Sequence, residues 1–263
     1  MASDIDGTLL AATETPTART RAVLARMADA GVPFVLATGR PPRWVPPVSD
    51  AVAAGLVVAA NGAVLYDAAD DRILEVATLD PPQLGEVLAG LRDAVPGCSL
   101  AVERVAAGAT ARAGERFLAE PAYEPAWPGS DHDAVGEGEL GAEPVVKVLV
   151  RRVGVTSDVM ADAARANLGH LVDVTFSGSG GLVECSRRGV TKAFGLVAAA
   201  TRLGVAAEHV VAFGDMPNDL EMLRWAGHGV GMANAHPAVL AGVDEVTASN
   251  LDDGVASVLE RWF

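Results

Sequence analysis

The chain has 263 residues, 50% of them hydrophobic, and a formal net charge of −14 at neutral pH. This length suits one large domain or two modest ones, and the acidic balance argues against a nucleic-acid partner, because affinity for a polyanion rests on cationic side chains. The longest uncharged run, residues 51–66, lacks the apolar length to span a bilayer. We therefore expect a cytoplasmic protein without a membrane partner, whose two cysteines, Cys98 and Cys185, are buried free thiols.

Short apolar runs alternate with helical patterns in the first part of the chain. The run before Asp4 has three residues where about five are usual in a strand, so we expect the natural chain to begin further upstream with apolar residues. Thr15 followed by Pro16 is typical of a helix N-terminus. The elements predicted here are, in chain order, a strand at 1–3, a helix at 15–30, strands at 32–37 and 56–60, and a hairpin of strands at 64–66 and 73–76.

The middle of the chain follows a different pattern. Short Gly/Ser turns such as residues 177–181 separate its strands, which favours hairpins. The elements predicted here are a helix at 80–95, strands at 98–103 and 145–150, a helix at 156–168, and strands at 172–176 and 181–186. We interpret residues 80–187 as an α+β domain inserted into the first one.

The last part of the chain returns to alternating strands and helices. The elements predicted here are a helix at 191–203, a strand at 210–213, a helix at 219–226, strands at 229–232 and 245–248, and a helix at 251–261. Alternating units of this kind favour a Rossmann-like, doubly wound parallel sheet with helices on both faces. Residues 1–79 and 188–263 are therefore predicted to form one α/β core.

Four carboxylates follow two of the predicted core strands. Asp4 and Asp6 come after the first strand, and Asp215 and Asp219 come after the strand at 210–213. The carboxyl ends of parallel strands line the ligand crevice of such a sheet, so these side chains should converge. Crowded carboxylates repel one another unless a hard cation lies among them, and Mg²⁺ prefers oxygen ligands together with a substrate phosphate. The sequence therefore predicts a Mg²⁺-dependent enzyme that acts on phosphate groups.

The first pair of carboxylates suits phosphoryl transfer. Asp4 can attack phosphorus and become an aspartyl phosphate, while Asp6 can protonate the leaving oxygen and later activate water. A solvated acidic turn explains two such aspartates equally well, until the Gly-Thr-Leu-Leu that follows them is counted. Thr38, at the end of the second predicted strand, can bind phosphate oxygens through its hydroxyl group, although a β-branched strand end is an ordinary feature.

Lys192 is notable because the chain has 18 arginines but two lysines. An ammonium is a compact charge that can bridge a nucleophilic carboxylate and a phosphate where a guanidinium fork would not fit, although chance also explains one lysine. Asn218 and Asp219 stand at a predicted helix start, where capping alone accounts for either residue. We predict a functional role for Lys192 and for this pair.

The motifs occur in one order along nearly the whole chain. They are, in sequence, Asp4-Ile5-Asp6-Gly7-Thr8-Leu9-Leu10, Ala37-Thr38-Gly39-Arg40, Asn61-Gly62-Ala63, Gly189-Val190-Thr191-Lys192 and Gly214-Asp215-Met216-Pro217-Asn218-Asp219. As a set they resemble the phosphatases of the haloacid dehalogenase superfamily, in particular the Cof-like branch that carries a large C2-type α+β cap. The long insert also lies between the Thr38 and Lys192 motifs, as it does in that branch.

The resemblance implies a role for each matching residue. Asp4 would be the nucleophile and a metal ligand, and Asp6 the acid/base and a ligand through its backbone carbonyl. Thr38 and Lys192 would hold the phosphoryl group. The remaining implied residues are Asp215 as a Mg²⁺ ligand, Asn218 and Asp219 in support of metal and substrate, and Gly39, Arg40 and Asn61 at the substrate.

We therefore expect a Mg²⁺-dependent phosphatase that hydrolyses small phosphomonoesters, such as sugar phosphates, through an aspartyl phosphate. A sugar phosphomutase or phosphotransferase would use the same chemistry. A receiver-like signalling module also combines aspartates, a threonine and a lysine, but the insert and the N-terminal position of the nucleophile argue against it. The expected partner is a small phosphorylated metabolite. Arg43 and Glu184 are further candidates for contacts with the leaving group. The oligomeric state stays open.

Overall fold

A computed structural model describes residues 1–11, 15–110, 115–127 and 131–263 of the chain. Its strands are β1 Ala2–Ser3, β2 Val35–Ala37, β3 Leu56–Ala59, β4 Val64–Asp67, β5 Arg72–Val76, β6 Ser99–Val105, β7 Glu115–Ala119, β8 Asp133–Ala134, β9 Lys147–Arg151, β10 Val172–Thr175, β11 Leu182–Arg187, β12 Val211–Gly214, β13 His228–Gly231 and β14 Glu245–Val246. Its helices are α1 Ala18–Asp29, α2 Pro46–Val52, α3 Pro81–Ala94, α4 Glu137–Leu140, α5 Ser157–Leu168, α6 Lys192–Leu203, α7 Leu220–Trp225, α8 Pro237–Leu240 and α9 Gly254–Leu259.

The larger sheet has the strand order β14-β13-β12-β1-β2-β3-β4-β5 among the described residues. Its strands are parallel from β14 to β3, and β4 and β5 continue it as an antiparallel hairpin. Apolar side chains of α1 and α9 pack on one face, and those of α6 and α7 pack on the other. The predicted doubly wound α/β core is confirmed.

Although β1 is short, it lies at the centre of this sheet. Ala2 pairs with Ala212 on one side and with Val35 on the other. The backbone N–H of Asp4 then donates to the carbonyl of Phe213 at 3.0 Å, which extends the ladder by one residue. The backbone of Asp4 is therefore fixed between two buried strands.

The second sheet has the strand order β10-β11-β9-β6-β7-β8 and is mostly antiparallel. Helices α3 and α5 pack against it around a second apolar core that includes Leu84, Leu91 and Met160. Its described strands lie between residues 99 and 187, and those of the larger sheet lie outside this range. The domain boundaries at 80 and 187 stay a prediction, which this topology supports.

Several local predictions were wrong. The N-cap of α1 is Thr17, whose hydroxyl accepts from the N–H of Thr20 at 3.1 Å, and not Thr15. Cys98 is only half-buried, whereas Cys185 is buried, and both thiols are free. Helix α2 and strand β7 were not predicted, because α2 begins with two prolines and β7 contains two charged residues. In the part of the chain that the structure describes, no helix combines the length and apolarity needed to cross a bilayer.

Candidate active site

Three adjacent strands bring the site together. Because β12, β1 and β2 are parallel neighbours, the residues after them meet at one edge of the sheet. Asp215 follows β12, Asp4 follows β1, and Thr38 follows β2. All three side chains are buried.

Asp4, Asp215 and Asp219 form a tight carboxylate cluster. Each offers an oxygen atom, and these atoms lie within 4.8 Å of one another. The Nζ atom of Lys192 donates to Oδ1 of Asp4 at 2.6 Å and to Oδ1 of Asp219 at 2.7 Å. One buried ammonium thus faces three buried carboxylates, which leaves the cluster with an excess of negative charge.

The electrostatics of the cluster reflect this excess. Burial raises the pKa of Asp4 well above its usual range, and the nearby carboxylates of Asp219 and Asp215 raise it further, against the opposing effect of Lys192. Burial also raises the pKa of Asp215 to about 6, although a 2.7 Å hydrogen bond from the Thr8 hydroxyl works in the opposite direction. Burial alone would lower the pKa of Lys192, but the two carboxylates outweigh it and raise that pKa above its ordinary value. A hard divalent cation would remove the repulsion, and the all-oxygen donor set suits one.

Asp219 differs from the other two carboxylates. Its Oδ2 atom accepts the backbone N–H groups of Asp215 and Met216, each at 3.0 Å, while its Oδ1 atom is bonded to Lys192. Both oxygens therefore already hold the loop after β12 and the lysine. These hydrogen bonds favour a supporting role for Asp219. Its direct ligation of a metal stays a prediction.

Two glycines permit the close approach of the loops. Gly7 has φ +82°, and a Cβ atom there would lie 2.3 Å from Oδ2 of Asp215. Gly62 has φ +99°, and a Cβ atom there would lie 1.9 Å from the carbonyl oxygen of Thr191, directly before Lys192. Any other residue at either position would push a loop away from the cluster.

The carboxylate of Asp6 lies apart from the cluster. It is exposed and forms a bidentate ion pair with Arg40, with Nε to Oδ2 at 2.8 Å and Nη2 to Oδ1 at 2.6 Å. Its side chain is not among the three clustered ligands of the described residues, so its predicted metal role rests on the backbone carbonyl and stays a prediction. The Oγ1 atom of Thr38 accepts the backbone N–H of Arg40 at 3.0 Å, which leaves the hydroxyl proton available to donate.

The other predicted substrate residues join the two halves of the molecule. Nδ2 of Asn218 donates to Oδ1 of Asn61 at 3.0 Å, and Nδ2 of Asn61 donates to Oε2 of Glu184 at 3.1 Å. Lys147 completes this network by donating to Oε1 of Glu184 at 2.5 Å and to the carbonyl of Gly39 at 2.9 Å. Oδ1 of Asn218 is buried without a hydrogen-bond partner among the described residues.

Sequence reasoning overlooked Lys147. It is buried, and it is the other lysine of a chain that otherwise uses arginine. The compositional argument applied to Lys192 would have found it. Sequence reasoning also overlooked Glu103, a buried residue of β6 that accepts two hydrogen bonds from Arg43 at 2.8 and 3.0 Å. Nε of Arg43 also donates to Asp131 at 2.6 Å.

A cavity of about 980 Å³ lies between the two sheets. Its lining includes Asp4 and Asp6 on the side of the larger sheet and Glu103, Lys147 and Glu184 on the side of the smaller one. The cavity can therefore accommodate a small ligand between Asp4 and the side chains of the smaller sheet.

Comparisons with known proteins bear on this site. A family model described as haloacid dehalogenase-like hydrolase matches residues 1–259. A 5-amino-6-(5-phospho-D-ribitylamino)uracil phosphatase of Bacillus subtilis is 44% identical over 82 residues, which make up 31% of this chain and 30% of that protein. A phosphoglycolate phosphatase of Methanothermobacter thermautotrophicus is 34% identical over 127 residues, which make up 46% of this chain and 57% of that protein.

A solved structure resembles the whole fold. A haloacid dehalogenase-like hydrolase from B. subtilis superimposes with a TM-score of 0.81 at 22% identity, over 100% of this chain and 99% of that one. At that identity the likeness shows the fold. The chain spans less than two thirds of the length of both curated relatives, so their activities are statements about those proteins.

Proposed function

Because this chain belongs to the haloacid dehalogenase-like hydrolase family, we propose that it hydrolyses small phosphomonoesters with Asp4 as the nucleophile. The observation that carries the proposal is the buried cluster of Asp4, Asp215 and Asp219 around the Lys192 ammonium. Asp4, one member of this cluster, lines a cavity large enough for a metabolite. The named relatives, which are phosphatases, support the same reaction class.

In the first step, a carboxylate oxygen of Asp4 attacks phosphorus and the bond from phosphorus to the alcohol oxygen breaks. Asp6 at the cavity mouth gives its proton to that oxygen, and the alcohol leaves. Lys192 is bonded to Oδ1 of Asp4, so its positive charge lies next to the phosphoryl oxygens as their negative charge is redistributed. Thr38 can donate its hydroxyl proton to a phosphoryl oxygen.

In the second step, Asp6 takes a proton from water, and the resulting hydroxide attacks the phosphorus of the aspartyl phosphate. The bond from Asp4 to phosphorus breaks and inorganic phosphate is released. Asp4 is restored as a carboxylate and Asp6 as a protonated acid, so the cycle closes. In the structure Arg40 binds both oxygens of Asp6 as a carboxylate, so this ion pair would open when Asp6 takes up the proton that it gives in the first step.

Mg²⁺ is the metal that we propose for the cluster. Asp4 and Asp215, with the backbone carbonyl of Asp6, would hold it, and Asp219 would keep the Asp215 loop in place. When bound, the ion neutralises phosphate charge and orients the ester. Residues 80–187 would form the cap that covers the cavity and selects the alcohol part of the ester.

Metal dependence tests the proposal. Release of p-nitrophenol from p-nitrophenyl phosphate should stop in chelator and return with added Mg²⁺. Asp215→Asn should raise the half-saturating Mg²⁺ concentration by about tenfold or more, because it removes one anionic ligand. Asp50→Asn, at an exposed position of α2, is the matched control and should leave this concentration unchanged. Full activity of the chelated protein would contradict the metal assignment.

A further inference from the structure

The wall of the cavity that faces the alcohol part of an ester has balanced charges. Arg43 is paired with Glu103 and Asp131, and Lys147 is paired with Glu184. These partners lie close, at N–O distances of 2.5 to 2.8 Å. With Arg151, three cations of this wall stand against the three carboxylates of Glu103, Asp131 and Glu184, so a second anionic group on the substrate would meet no net positive charge here.

Arg151 also lines this wall. Its Nε atom donates to the carbonyl of Glu124 at 3.0 Å, and its Nη1 atom donates to the carbonyls of Gly180 and Gly181. Arg151 is thus held by backbone oxygens. The paired side chains, and the carbonyls that accept from Arg151, can still form hydrogen bonds with hydroxyl or amide groups of a ligand. The wall therefore suits a polar but uncharged group.

The same wall carries two tryptophans. Trp44, from the turn before α2, and Trp127, from the inserted region, both line the cavity. Their ring centroids are 5.0 Å apart in an edge-to-face arrangement, and Trp127 also stacks on the buried Phe117 with centroids 6.0 Å apart. A flat ring on a ligand can pack against such aromatic side chains.

The two indole N–H groups differ in their surroundings. Nε1 of Trp44 donates to Asp131 at 3.1 Å, whereas Nε1 of Trp127 is buried and has no hydrogen-bond partner in the described part of the chain. Because that buried atom has almost no surface open to the cavity, Trp127 offers a ligand its ring and not its N–H.

Resting on the proposed phosphatase function, we propose that the alcohol part of the substrate is uncharged and carries a flat ring that lies against Trp44 and Trp127. The substrate class is then the phosphate monoesters of neutral, ring-bearing alcohols. Esters whose alcohol carries a carboxylate, such as phosphoglycolate, are poor substrates.

Two matched pairs of esters test the charge and the ring separately, by kcat/KM with saturating Mg²⁺. 2-Hydroxyethyl phosphate should exceed phosphoglycolate by about tenfold or more, because the carboxylate of the latter enters a wall that has no net positive charge. 2-Phenylethyl phosphate should exceed 2-cyclohexylethyl phosphate by about threefold or more, because only the former has a flat ring.

Three variants assign these preferences to residues. Trp127→Leu should bring the ratio of the two ring esters close to one, and Trp262→Leu, at an exposed tryptophan near the C-terminus, should leave it unchanged. Asp131→Asn should shift the charge ratio towards phosphoglycolate by about threefold, because Arg43 loses one anionic partner. Asp131 is partly exposed, so this variant tests the charge argument without emptying the buried core.

The outcomes separate this inference from the proposed function. If p-nitrophenyl phosphate is not hydrolysed with Mg²⁺, the phosphatase function itself fails. If it is hydrolysed but phosphoglycolate is the better member of its pair, or the two ring esters react equally in the unaltered protein, the substrate class is wrong and the phosphatase function stands.

Discussion

The two lysines of the chain meet different charge environments. Lys192, in the core, is bonded to two members of a cluster of three buried carboxylates. Lys147, in β9 of the second sheet, is bonded to the carbonyl of Gly39 and to Glu184, which also accepts from the amide of Asn61. The core site has surplus negative charge, whereas the opposite wall of the cavity is balanced.

This difference indicates which part of a ligand each region can bind. Surplus carboxylates in a buried site call for a cation, and a cation in turn attracts a phosphate group. A wall of paired charges contributes hydrogen bonds and packing but no net attraction for an ion. The phosphate of an ester would therefore be bound through a cation at the carboxylate cluster, and its alcohol part through hydrogen bonds and packing at the opposite wall.

The largest expected effect is the loss of catalysis in Asp4→Asn. The amide keeps the shape of the side chain but is not a nucleophile, so kcat should fall by about a thousandfold or more. Initial rates on p-nitrophenyl phosphate measure this, and a far-ultraviolet circular dichroism spectrum checks the fold. A rate within a few-fold of the parent would show that another group carries the chemistry.

The second prediction compares the two lysines directly. Lys192→Met leaves two buried carboxylates without their ammonium and should lower the free energy of unfolding by about 3 to 5 kcal/mol. Lys147→Met leaves one such carboxylate and should lower it by less. Urea unfolding measures both.

Added Mg²⁺ sharpens this comparison. The ion should recover more stability in Lys192→Met than in Lys147→Met, because only the former has its unpaired carboxylates at the proposed metal site. Equal recovery in both variants would contradict the contrast between the two regions.

A smaller effect is expected where the two regions meet. Arg43→Gln removes the guanidinium that pairs with the buried Glu103, where burial raises the pKa of the carboxyl and Arg43 opposes that rise. We expect a loss of about 2 kcal/mol in the free energy of unfolding, less than for a fully enclosed pair, because part of Arg43 faces solvent. The matched control is Arg116→Gln, whose exposed pair with Asp133 spans 3.4 Å and should contribute less than about 0.5 kcal/mol. Equal losses in the free energy of unfolding of the two variants would show that the buried contact of Arg43 contributes no more than an exposed ion pair.

The core of the site was predictable from the sequence because its residues follow strand ends. In a parallel sheet these ends meet at one edge, so the positions of Asp4, Thr38 and Asp215 after predicted strands, together with the motif resemblance, were enough to group them. The role of Lys192 was predicted from the rarity of lysine in the chain, and its place at the start of α6 agrees with the helix predicted at 191–203.

The contacts across the cavity were not predictable in the same way. The pairing of Arg43 with Glu103 depends on how residues next to the larger sheet lie against the smaller sheet, and no local periodicity encodes that geometry. The helix start at Thr17 shows the same limit on a smaller scale. Thr15 and Thr17 are equally good caps by sequence, but the hydroxyl of Thr17 also donates to Asp253 at 2.6 Å, a contact 236 residues away in the chain.

The measurement that tests the central claim most directly is the detection of a phosphoryl group on Asp4. Asp6→Asn removes the base of the second step, so with p-nitrophenyl phosphate, whose leaving group needs no protonation, the phosphorylated enzyme should accumulate. Intact-mass analysis after acid quenching should find one added phosphoryl group, and peptide mapping should place it on the peptide that contains Asp4. Its absence from the double variant Asp4→Asn/Asp6→Asn is the expected control. Wild-type turnover with no phosphoryl group on Asp4 in the Asp6→Asn protein, or with the group on another residue, would contradict the account.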